Sequence, residues 1–176
     1  MLIALDGQIN IVLQEPKYHD QEWTIPMQKG QFAYYPCNFA HTLETVGARP
    51  ASYLMLKWQN SYRNVHPVLP FNQYSALDEG EQLQGKEGLS SRLIMQGKTN
   101  YLQKFHCHVS SLSPRAGYEP HSDAHDVVII VLEGEVETLQ QRVAPHGVIF
   151  YAAGEDHGMR NSGDVEAKYI VFEFHS

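Results

Sequence analysis

The chain is poor in cysteine: it holds Cys37 and Cys107, far apart and outside any C-x-x-C spacing. That argues against a disulfide framework or a cysteine zinc motif, and it predicts two free, buried thiols in a reducing compartment. Long apolar runs are missing too, and nothing approaches the roughly 20 residues a membrane helix needs. The opening Met-Leu-Ile-Ala-Leu lacks a basic flank and meets Asp6 and Gly7 at once, too short for a signal-peptide core. The expected location is therefore the cytoplasm. Basic clusters are absent: Arg63, Lys86, Arg92, Lys98 and Lys104 stand in separate local contexts. With a net charge of −7, this argues against a nucleic-acid or membrane partner. No G-x-S-x-G, G-x-G-x-x-G or P-loop pattern occurs, so neither a nucleophile elbow nor a phosphate-cradling loop is expected.

What is present is β-sequence and histidine. The 176 residues are 43% apolar and 19% charged, enough for a substantial core. Residues 2–5 and 8–13 read as short strands about Asp6-Gly7, a hairpin signal. A polar loop is expected over 16–20 and a short strand over 23–25. Further strands are expected over 31–35, ended by Pro36, over 41–45 and over 51–58. The stretch 61–98, with Pro67 and Pro70, reads as a connector holding a helical turn near 74–77 and an apolar piece at 89–95. Strands return over 101–112, followed by a turn at 113–117. Residues 127–132 are apolar at every position, which predicts a strand covered on both faces. A last strand is expected over 165–174. No helical periodicity exceeds two turns, so the predicted class is all-β.

An internal repeat organises these strands. His41, Thr45, Gly47, Ala51 and Tyr53 match His157, Asn161, Gly163, Ala167 and Tyr169 at a constant offset of 116 residues. Upstream, Leu5-Asp6-Gly7-Gln8-Ile9 resembles Leu132-Glu133-Gly134-Glu135-Val136 at an offset of 127 residues. Two blocks in the same order indicate two copies of one β unit.

Pro120-His121 through Leu132-Glu133-Gly134, and residues 147–161 with His157 and Asn161, resemble the two motifs of the cupin superfamily. Residues 30–45 resemble the second motif again, with Asn38 in place of glycine and His41 retained. The resemblance implies a double-stranded β-helix, a cupin jelly-roll barrel, present twice. The implied organisation is an incomplete N-terminal barrel over 1–60, a connector over 61–98 and a C-terminal barrel over 99–176. The missing opening strands would come from the connector, from a partner subunit, or from a longer protein. A homodimer is the expected assembly.

Counting back from Gly134, the family's first histidine falls on His121, its second on Asp123 and its glutamate on Val127. His157 keeps the second-motif place. If 121, 123, 125 and 127 lie on one unbroken strand, His125 shares their face and is a further candidate. The expected metal ligands are therefore His121 and His157 with Asp123 or His125. They would hold a divalent transition ion (Fe, Mn, Ni, Co or Zn) with positions open for a small-molecule ligand. The opposing expectation is a decayed site, binding a small ligand with no metal. His106 and His108 flank Cys107 and either line the barrel or face solvent. Tyr101, Gln103, Tyr118 and Arg160 are candidate polar contacts. His41 reads as a packed histidine, and His19, His66, His146 and His175 as surface. Whether the protein is an enzyme, as an isomerase, lyase or dioxygenase, or a sensory binding module is left open by the fold.

Overall fold

The computed structural model describes residues 1–13, 23–61, 63–65, 67–78, 83–85 and 88–176. The loop expected over 16–20, with His19, His66 and Lys86, lies outside them. The described residues are all β, with no helix, so none is long and apolar enough to cross a membrane. They form two compact units, Met1–Gln59 with Leu69–Leu77, and Asn60–Val68 with Asp78–Ser176. The stretch expected as a connector thus supplies strands to both units. Near its middle, residues 72–75 form a strand where a helical turn was expected.

The first unit contains β1 (Leu2–Asp6), β2 (Gln8–Leu13), β3 (Trp23–Gln28), β4 (Gln31–Tyr34), β5 (His41–Thr45), β6 (Ser52–Met55) and β7 (Asn72–Ser75). They make two antiparallel sheets, ordered β6-β1-β4-β7 and β3-β2-β5. Leu2, Ala4, Ile9, Ile11, Met27 and Ala33 form the core. Pro26 sits in β3, an edge strand, where its missing N–H leaves no ladder bond unmade.

The Asp6-Gly7 turn is not a hairpin. β1 pairs with β4 and β6, β2 with β3 and β5, so the chain crosses from one sheet to the other at Gly7. A Cβ at Gly7 would stand 2.9 Å from Ala51 Cα, and its φ is 74°. Close approach and a left-handed backbone both require glycine here, which is the constraint of a corner rather than of a hairpin.

The second unit contains β8 (Leu83–Gln84), β9 (Leu89–Gly97), β10 (Lys104–Leu112), β11 (Gly117–His121), β12 (Asp126–Glu133), β13 (Val136–Thr138), β14 (Gln141–Val143), β15 (Val148–Tyr151), β16 (His157–Arg160) and β17 (Ala167–His175). Its sheets are ordered β15-β12-β17-β10-β9-β8 and β11-β16-β13-β14. Val127 to Leu132 are all buried, on both faces of β12. Val127, Ile129, Val131, Val136, Tyr151 and Tyr169 belong to the core within this unit.

The pairing order repeats. β6-β1-β4 and β3-β2-β5 of the first unit correspond to β17-β12-β15 and β14-β13-β16 of the second. Gly134 mirrors Gly7: its φ is 69°, and a Cβ there would meet Ala167 Cα at 2.7 Å, as Gly7 would meet Ala51. Among the described residues, no strand of the first unit stands where β10 and β11 stand in the second. β7 pairs instead with the far edge of β4. Neither cysteine is in a disulfide; Cys107 is buried, whereas Cys37 is exposed rather than buried as expected.

Candidate metal centre

The site grows from the pairing of β11 with β16. Pro120 cannot donate a ladder bond, and the register shifts between Tyr118 and His121. Beyond that irregularity His121 pairs directly with His157, and their ring centroids lie 4.6 Å apart. The turn after β11 carries Asp123, whose Oδ2 lies 3.4 Å from His157 Nε2 and 3.9 Å from His121 Nε2. Two bonds pin this turn to the 152–155 loop: Gly154 N–H donates to Asp123 O, 2.7 Å, and Ala153 N–H to Asp126 Oδ1, 2.9 Å.

Both histidines are held by the same device. His157 Nδ1–H donates to Glu155 O at 2.9 Å, and His121 Nδ1–H to Glu119 O at 3.3 Å. A carbonyl oxygen can only accept, so Nδ1 carries the hydrogen and Nε2 presents its lone pair toward Asp123. Outer partners of this kind orient metal-binding imidazoles. His157 is further held by Tyr151, stacked 3.9 Å away at 10°. The Tyr151 hydroxyl donates to Thr138 Oγ1, which in turn donates to Gly158 O. Two imidazoles and one carboxylate within 4.8 Å of one another make a fitting donor set for a divalent transition ion.

His125 does not join them. The parity that placed it there assumed an unbroken strand, but β11 ends at His121 and β12 begins at Asp126. The turn between sends His125 Nε2 to Glu173 Oε2, 3.3 Å away. There it meets His175, whose ring stacks on it at 3.8 Å, although His175 read as surface. His108 Nδ1 lies 3.8 Å from Glu173 Oε1. Burial holds the His108 pKa down to about 4 against the opposing field of Glu173. Burial works against ionisation of Glu173 as well, but the hydrogen bond from His175 and the nearby histidines keep its carboxyl below the ordinary value. Sequence reasoning missed Glu173. The available signal was Glu-x-His at the end of the last strand, two like-facing polar residues in an apolar run.

The His121–Asp123–His157 set and the Glu173–His108 pair line one cavity of about 570 Å³, within the second unit. Val127, Ile129 and Val171 give it an apolar wall. Beside them on the same sheet, Tyr169, Ser110 and Ser91, joined by Tyr118 from β11, form a hydrogen-bonded series, with Ser91 Oγ and Ser110 Oγ 2.7 Å apart. Burial pushes the Tyr118 and Tyr169 hydroxyls well above their ordinary pKa, so both remain protonated donors. Of the other sequence candidates, Tyr101 hydrogen-bonds Arg63, and Gln103 and Arg160 are exposed. His146 is an exposed turn residue at positive φ. Asn161 is fully buried but is no ligand: its Nδ2 donates to Leu112 O and Val165 O, and its Oδ1 accepts from Gly163 N–H.

The all-β fold of antiparallel sheets is shared with a solved structure over nearly the whole chain. Over 98% of its length the chain is similar to the putative glyoxylate induced protein from Pseudomonas aeruginosa, with a TM-score of 0.68 and 14% identity, covering 64% of that chain. It matches a chain of the Rhodobacter sphaeroides SigE–anti-sigma ChrR complex over 55% of this chain and 50% of that one, at 9% identity and a TM-score of 0.49. An RmlC-like cupin from Shewanella frigidimarina matches over 58% of this chain and 94% of its own, at 17% identity and a TM-score of 0.47. The chain therefore spans less than two thirds of the length of the first two. No protein-family model and no curated protein matches the sequence.

Proposed function

We propose that the second unit is a divalent transition-metal site that binds a small polar metabolite, with His121, Asp123 and His157 as ligands. The observation that carries this reading is the shared tautomer of the two histidines. Each spends Nδ1–H on a backbone carbonyl and leaves Nε2 facing the same carboxylate oxygen. Three protein ligands leave coordination positions free, the arrangement of a catalytic rather than a closed structural centre. The cavity volume lies in the roughly 300–1,000 Å³ range of small-molecule pockets. Its hydroxyl series suits a ligand rich in carbonyl or carboxylate oxygens.

When bound, the ion supplies Lewis-acid polarisation of a ligand oxygen. The chain's own residues would do the rest. Tyr118, Tyr169 and Ser110 offer hydroxyls to the cavity, and Val127, Ile129 and Val171 beside them exclude water. An isomerase, lyase or dioxygenase reaction is compatible with these parts.

A second reading is a metal-free ligand-binding module, and Val127 favours it: an apolar side chain stands where the family places its carboxylate. Metal analysis separates the two. Purified protein supplemented with Fe, Mn, Ni and Zn is expected to retain one of these ions in a manner that depends on Asp123. An Asp123→Asn variant that folds and retains as much metal as the parent would remove the first reading.

A further inference from the structure

The end of β17 gathers a second set of donors that the triad does not use. Glu173 and His175 alternate along one face of the strand, and Val127 pairs with Glu173 across the sheet. That register brings the turn residue His125 against His175. On the other side, His106 of β10 pairs with Glu173, and His108 follows two residues on. One carboxylate is thus surrounded by four imidazoles from two strands and a turn.

The nitrogens in this cluster are poorly served by the protein. His175 Nε2 lies at hydrogen-bond distance, 2.9 Å, from Glu173 Oε2. His125 Nε2 faces the same oxygen at 3.3 Å, yet it is buried with no hydrogen-bond partner among the described residues. His108 Nδ1, facing the other oxygen, is buried and unpartnered in the same way. Buried polar atoms without partners are rare in folded proteins, and an ion is one of the few things that satisfies several at once. The spacing suits one: two ligands bound tetrahedrally to zinc at about 2.0–2.1 Å stand roughly 3.3 Å from each other.

We propose that Glu173, His125 and His175 form a second site for a divalent transition-metal ion, distinct from the His121–Asp123–His157 triad. Imidazole with a single carboxylate selects a borderline ion such as Zn²⁺, Co²⁺ or Ni²⁺ over Mg²⁺ or Ca²⁺, which prefer all-oxygen shells. Glu173 neutralises part of the ionic charge, and His125 Nε2 gains the partner it lacks. His106 stands beside them with its own orientation fixed, since its Nδ1–H donates to Gln96 Oε1 at 2.7 Å. The inference is independent of the triad and does not require it to be loaded.

The test is the zinc content of the full chain after incubation with Zn²⁺ and removal of the excess, measured on the parent, Glu173→Gln, His175→Ala and Asp123→Asn. Two equivalents are expected in the parent. One is expected in each variant, and none in a double variant combining Glu173→Gln with Asp123→Asn. Co²⁺ substitution gives a second readout, because each site contributes its own visible absorption and Glu173→Gln removes one component. If Glu173→Gln and His175→Ala, melting like the parent, both retain the parent's zinc, the proposal is overturned. Should only Asp123→Asn lose zinc, the triad stands and the Glu173 site falls. The reverse pattern retains the Glu173 site and removes the triad. Should Glu173→Gln fail to fold, the partly exposed His175 decides the matter by itself.

Discussion

In the first unit His41 opens β5, and in the second His157 opens β16. Each donates Nδ1–H to the carbonyl two residues before it, Phe39 O at 2.8 Å and Glu155 O at 2.9 Å. Each also lies against a tyrosine at the matching position, Tyr35 at 4.1 Å and Tyr151 at 3.9 Å. The local construction is the same, but the surroundings differ. His157 finds His121 and Asp123 across β11 and its turn. His41 has no such strand beside it among the described residues, and Phe39 and Tyr35 supply aromatic neighbours instead. A histidine aimed by its own loop therefore meets further donors only where other elements bring them to it.

The sharpest way to break this contrast is to remove each histidine. His157→Ala is expected to weaken the metal binding proposed for the triad by more than about 100-fold, since losing a ligand exceeds the 10–100-fold cost of losing an outer partner. His41→Ala is expected to leave it unchanged; equal losses in calorimetric titration would erase the distinction.

Asn161 and its counterpart Thr45 extend the comparison to stability. Asn161→Ala leaves the buried carbonyl of Leu112 and that of Val165 without their donor, so a loss of about 3 kcal/mol is expected. Thr45 is exposed, and Thr45→Ala should fall within about 0.5 kcal/mol of the parent. Urea denaturation of both variants checks this.

Alkaline pH probes one matched position at which the two units differ. Burial raises the Tyr34 pKa to about 12, whereas the position that matches it in the second unit is Phe150, which cannot titrate. Between pH 10 and 12 the unfolded chain has released this proton and the folded chain has not. The Tyr34 contribution is thus complete below about pH 10 and is lost as pH rises through 12. Its size is on the order of 3 kcal/mol. Tyr34→Phe should flatten the fall in melting temperature over that window; an unchanged profile would show the phenol is not held neutral.

The smallest expected effects concern a matched pair of turns. Asn38 and Gly154 both have positive φ, 62° and 82°. Gly154→Ala should cost about 1–2 kcal/mol through backbone strain alone, because a Cβ there meets nothing within 4 Å. Asn38→Gly, which needs no such strain relieved in full, should stay within about 1 kcal/mol of the parent. Opposite signs or larger shifts would show the two turns are not equivalent.

Strand positions were readable because β-branched runs and turn residues are local signals. The apolar stretch 127–132, the last strand and the repeat all appear where the residues place them. The Asp6-Gly7 turn shows where local reading stops. Glycine at a corner and glycine in a hairpin carry the same signal, and the partner of each following strand is chosen by packing. His125 shows a second limit. Side-chain parity survives only as long as the strand does, and β11 ends four residues too early.

By itself, then, the sequence determined the class, the order of strands, the duplicated unit and the pair His121 and His157. Those follow from periodicity and from motifs whose spacing is local. Tertiary structure alone decided that Asp123 rather than His125 faces that pair, and that His125 turns to Glu173. It also assembled the cluster of Glu173 with His106, His108 and His175, residues separated by most of the second unit's length. The reason is register: which residues stand opposite one another on β10, β12 and β17 depends on how whole sheets bury their apolar faces, and no short stretch of the chain encodes that.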